Sequence, residues 1–210
     1  MFSFFIDAVS GALAVLPFLI ILEIAARRLI PVLPLRHLIG DGIFSFLLAA
    51  LLSIAQVPGF YEFCADLEFN FVPFSQITVH PLWYGLYFLF FLLLGTMLPL
   101  LFSFFQKMGV CILYGFGFAL TIELLRIFTL HSSGVDALIA AVVGSFCGYS
   151  LFLLIRRMLP GFCASCLLTA DCIRRHPALK WEGCLLTLSA LGSALLLAPL
   201  IRETAAALFL

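Results

Sequence analysis

Long apolar runs, separated by short clusters of polar or charged residues, form the dominant pattern of this chain. None alternates with period two. Segments such as LYFLFFLLLG and AALLSIA are apolar on every side, which excludes the strands of a membrane barrel and predicts helices. At roughly 20 apolar residues per bilayer crossing, six spans can be placed, at residues 8–25, 38–57, 82–105, 108–130, 135–155 and 183–201. Gly40 and Asp41 interrupt the start of the second. The expected fold class is therefore all-α, a polytopic integral membrane bundle of about six transmembrane helices in one domain covering residues 1–210. No internal repeat and no soluble domain is visible.

Composition agrees. Apolar residues make up 64% of the chain, charged residues only 10%, Phe occurs 24 times, and mean hydropathy is +1.23. A soluble domain carries about a quarter charged residues. Formal net charge is zero and the basic residues form nothing longer than Arg pairs, so a nucleic-acid partner is not expected. The start, MFSFFIDAVSG, has no Lys or Arg ahead of its apolar stretch and reads as a retained span rather than a cleaved signal.

The basic residues also orient the spans. Arg27, Arg28, Arg36, Lys107, Arg156, Arg157, Arg174, Arg175 and Lys180 fall in the odd-numbered connections, nine of the eleven in the chain. The second connection, 58–81, has none and carries Glu62, Asp66 and Glu68. By the positive-inside rule the odd connections face the cytoplasm, and both termini lie outside a plasma membrane.

Against that background, Glu123 and Arg126 stand out, because full charges inside an apolar span cost a few kcal/mol each and mark interior-facing, functional positions. Glu123 lies 15 residues past Met108, or roughly 22 Å along a core about 30 Å thick, towards the outer leaflet. Arg126 follows at i+3 on the same helical face. The short turn HSSG then returns the chain with Asp136 near the start of the fifth span, so Glu123, Arg126, His131 and Asp136 are expected to converge near the outer surface. A structural reading competes: the pair neutralises itself for insertion, Asp136 caps a helix, and His131 is an interfacial residue. The second connection, rich in Phe, Tyr and Trp, reads either as an aromatic belt or as a folded cap on the same side.

Two further patterns concern cysteine and glycine. Cys163, Cys166, Cys172 and His176 form C-x2-C-x5-C-x3-H, a ligand set that suits tetrahedral zinc. The residues between them look helical and apolar, however, and cysteine acting as a small hydrophobe is the preferred reading, so no metal and no cofactor is expected. Gly115 and Gly117 in the fourth span, with Gly144 and Gly148 in the fifth, predict close contact between those two helices.

Several of these segments together resemble the VanZ family over residues 69–155. FNFVPFSQI, with Asn70 and Pro73, resembles the family's Asn-hydrophobic-hydrophobic-Pro-Phe motif. Phe91, Gly95 and Pro99 match its next helix, Glu123 its Ser-x-x-x-Glu-x-x-Gln signature, and Asp136, Gly144 and Gly148 its acidic and glycine-bearing ending. Tyr87, Leu93, Arg126, Ala137 and Ala141 stand where the family has Asn, Pro, Gln, Asp and Asn. The resemblance implies a cell-envelope role, since the namesake lowers teicoplanin susceptibility in Gram-positive bacteria without a demonstrated enzymatic activity. Two functions follow as expectations. One is a non-catalytic factor whose outward site engages a lipid-linked cell-wall precursor or the lipoglycopeptide. The other is an intramembrane enzyme acting on such a precursor, with Glu123 as base and Arg126 as anion clamp. Arg126 should keep Glu123 weakly basic, which favours the first.

Overall fold

The computed structural model describes residues 35–55, 69–127, 133–168 and 177–209. Sustained apolar character gives long helices: α1 (Leu35–Ile54), α2 (Pro81–Leu101), α3 (Met108–Arg126), α4 (Val135–Met158), a short α5 (Pro160–Cys166) and α6 (Glu182–Phe209). Apart from 3-10 turns at Ser103–Gln106 and Pro177–Trp181, the remaining regular structure among the described residues is a parallel pairing of two-residue strands, β1 (Phe69–Asn70) with β2 (Ser133–Gly134). Among the described residues, four helices, α1 to α4, are long and apolar enough to cross a membrane. The expected span at 8–25 lies outside the described residues, and α6 covers the position of the one expected at 183–201.

Prolines set several boundaries. Pro81 opens α2, where its missing N–H is no loss and its ring presets φ. Pro99 sits near the other end, and α2 stops at Leu101, short of the expected 105, because Phe102 turns extended ahead of the 3-10 turn. Helix α4 runs past the expected 155 to Met158, with Arg156 and Arg157 in a last turn whose carbonyl dipoles favour cations.

The glycine seam differs from expectation. A Cβ on Gly144 would lie 2.7 Å from the Phe88 carbonyl oxygen, and one on Gly148 would strike that of Leu92, both in α2. From the other side, a Cβ on Gly95 would meet the Ser145 oxygen at 2.6 Å. The G-x-x-x-G face of α4 therefore packs on α2 rather than on α3, and the Thr96 hydroxyl crosses the seam to the Gly148 carbonyl at 3.0 Å. Gly115 of α3 does abut Ser145, whereas Gly117 faces open space. With α4 so close, α2 fills the centre of the bundle: Tyr87, Phe91, Leu94 and Leu98 are fully buried, as are Phe44, Leu48 and Leu51 of α1.

Candidate functional site

At one end of the bundle, the last turn of α3, the first turn of α4 and the segment before α2 meet. Arg126 Nη1 donates to Glu123 Oε1 at 3.0 Å, the contact that i+3 spacing on a helix makes available. The second oxygen, Glu123 Oε2, accepts the Gly134 N–H at 3.2 Å. Both side chains are sealed, Glu123 at 0% exposure and Arg126 at 8%. The guanidinium also lies over Trp83, 4.9 Å from the ring centroid. Behind it Trp83 stacks on Tyr87 at 5.0 Å, while the Trp83 indole N–H reaches the Ile54 carbonyl at the end of α1. The Tyr87 hydroxyl is buried and has no hydrogen-bond partner among the described residues.

Asp136 performs a different task. From the first turn of α4 its carboxylate accepts three backbone N–H groups of the segment before α2: Phe74 at 2.6 Å, Gln76 at 2.9 Å and Ile77 at 3.2 Å. The segment is shaped for this by its own residues. Asn70 Oδ1 accepts the Val72 N–H, Asn70 Nδ2 donates to Ser75 Oγ, and Pro73 fixes one φ ahead of Phe74, which adopts φ 64°. Left-handed backbone is costly for an aromatic residue and persists only where its surroundings hold it, here through the short bond to Asp136. Gln76 then ties the cap to α2, since Tyr84 Oη donates to its side-chain oxygen at 2.6 Å. The second connection thus ends as a folded cap, with Phe71, Val72 and Phe74 pointing outward at 75%, 63% and 60% exposure.

The structure therefore brings Glu123, Arg126, Asp136, Asn70 and Pro73 to the same end of the molecule, and the pairing of Asn70 with Gly134 joins the two carboxylate environments. His131 lies outside the described residues. Glu123 and Asp136 are closed in by their donors, so the polar centre is covered rather than an open chamber. Gly134, Gln76 and Trp83 belong to the constellation but were not distinguished as site residues from the sequence.

Of the cysteine pattern, Cys163 and Cys166 are buried in α5, and Cys172 and His176 lie outside the described residues. Burial, more than the nearby Cys166, pushes the Cys163 thiol up from its ordinary value. The Cys166 carbonyl has another role, accepting from His37 Nδ1 at 2.8 Å. His37 Nε2 faces Asp41 Oδ2 at 3.2 Å and Glu182 Oε2 at 3.3 Å, a second polar cluster at the opposite end of the bundle. From the sequence Asp41 was only an interruption of a span. The available signal was His37 and Asp41 at i and i+4 on one helix.

Comparison with known proteins adds no relative: no family model matches the chain, and no curated protein or solved structure matches it.

Proposed function

We propose that this chain is a VanZ-like protein of the plasma membrane, crossing it six times with both termini outside, and that it acts as a non-catalytic envelope factor. In this reading the cap and its exposed Phe71, Val72 and Phe74 sit at the outer headgroup level. They engage an amphiphilic, lipid-linked cell-wall precursor or the lipoglycopeptide itself, which lowers susceptibility to teicoplanin.

The supporting observation is the clamp of the Asn70–Ile77 segment on Asp136. Two separate stretches that carry the resemblance, about 60 residues apart, meet through three hydrogen bonds and present one aromatic face. The enzymatic alternative is less well served. A general base needs an available lone pair, whereas Asp136 already accepts three N–H groups and Glu123 is bound by a guanidinium and an N–H.

The test is teicoplanin susceptibility of cells expressing wild type, Asp136→Ala, Glu123→Ala, or Phe71→Ser with Phe74→Ser. Wild type should raise the inhibitory concentration. The Phe pair and Asp136→Ala should abolish the increase at equal membrane abundance. An unchanged inhibitory concentration on expressing wild type, with the protein shown to be in the membrane, would falsify the reading.

A further inference from the structure

At the end of the bundle opposite Glu123, three side chains from two helices turn their ligand atoms towards one point. His37 and Asp41 come from α1 and Glu182 from the first turn of α6, and their ligand atoms all lie within 4.8 Å of one another. His37 is fully buried, Asp41 is 7% exposed and Glu182 is partly buried.

The orientation of the imidazole is informative. Nδ1 stands 2.8 Å from the Cys166 carbonyl oxygen, which only accepts, so Nδ1 carries the hydrogen. In the neutral ring the lone pair is then on Nε2, aimed at two carboxylate oxygens 3.2 and 3.3 Å away. A lone pair facing two such oxygens is unfavourable unless a proton or a metal cation lies among them. A histidine whose far N–H is held by a carbonyl, and whose near nitrogen converges with carboxylates, is the arrangement found around bound metals.

Distances agree with that arrangement. Ligand atoms about 2.0–2.1 Å from a tetrahedral zinc ion are about 3.3 Å apart along each edge. The two edges from Nε2 have this length, and the edge between the two carboxylate oxygens lies within 4.8 Å.

We propose that His37, Asp41 and Glu182 form a binding site for a divalent transition-metal ion of the zinc class, with the Cys166 carbonyl fixing the tautomer. One imidazole with two carboxylates suits zinc better than magnesium or calcium, which prefer oxygen alone. Three protein ligands leave a fourth position for water or for another group. Such an ion joins the start of α1 to the start of α6 and, through Cys166, to α5. This site is separate from the cap and from Glu123, and it uses the Cys166 carbonyl rather than a thiolate of the C-x2-C-x5-C-x3-H pattern.

The experiment uses the full chain purified in detergent, stripped with chelator and reloaded with Zn²⁺ or Co²⁺. Metal content is measured by mass spectrometry and affinity by competition with a chromophoric chelator. Wild type should retain about one equivalent of Zn²⁺, and Glu182→Gln or Asp41→Asn should weaken it by more than about 100-fold. Because His37 is buried and its replacement can unfold the chain, partly buried Glu182→Gln is the decisive variant, with thermal unfolding verifying its fold. The Co²⁺ form should show no thiolate charge-transfer band, and Cys163→Ser with Cys172→Ser should leave the affinity unchanged. A wild type that retains no ion holds His37 instead as an imidazolium between the two acids, and overturns the proposal. Equal retention in Glu182→Gln, or a thiolate band, would also overturn it.

Discussion

For individual residues, the decisive property is how completely each buried charge is satisfied. Glu123 and Arg126 are held 3.0 Å apart with almost no exposure, so removing one leaves the other buried without that partner. Glu123→Leu should therefore cost about 3–5 kcal/mol, whereas Glu123→Leu with Arg126→Leu should recover most of the loss, since an apolar pair needs no desolvation. Thermal or denaturant unfolding of the three proteins in one detergent decides the matter, and equal losses in single and double variants would contradict it. The pair was legible in the sequence because i+3 spacing on a helix has one geometric meaning. The partners of Asp136 were not, since all three are backbone N–H groups and no residue type announces them. Phe74 at φ 64° was equally hidden, because the left-handed region is ordinarily signalled by Gly or Asn.

Between helices, small residues determine which faces can meet. The sequence showed glycines in the fourth and fifth spans but not their neighbours, and the Gly144 and Gly148 face lies against α2. Its partner on α2 was masked by surrounding Phe and Leu. Gly95 was legible as a motif residue, but nothing in the pattern showed that its open side receives the Ser145 backbone. Gly144→Leu and Gly148→Ala should each separate α2 from α4 and lower the unfolding temperature strongly, because the obstructing atoms are backbone and cannot swing aside. Gly85→Ala and Gly117→Ala meet nothing within 4 Å and should be neutral or stabilise by up to about 1 kcal/mol, as Ala does within helices. Matching stability across all four variants would refute the seam.

The whole molecule has two polar ends joined by apolar helices, and their separation follows from α1 alone. Its Ile54 carbonyl meets Trp83 in the Glu123 region, while His37 lies 17 residues earlier, or about 25 Å along the axis. That distance is close to the thickness of a hydrocarbon core, about 30 Å, so in the proposed membrane placement the two clusters fall at opposite surfaces. The distribution of Lys and Arg predicts which end faces the cytoplasm, because basic residues resist translocation. It could not reveal the His37 cluster, which joins positions 145 residues apart. The orientation is tested by cysteines placed at exposed Thr78 and Lys107, in a background lacking reactive native thiols. An impermeant maleimide should label Thr78→Cys on intact cells and Lys107→Cys only after lysis. The opposite pattern would place the aromatic cap in the cytosol, where no glycopeptide reaches it, and would leave the helix contacts intact while removing the proposed role.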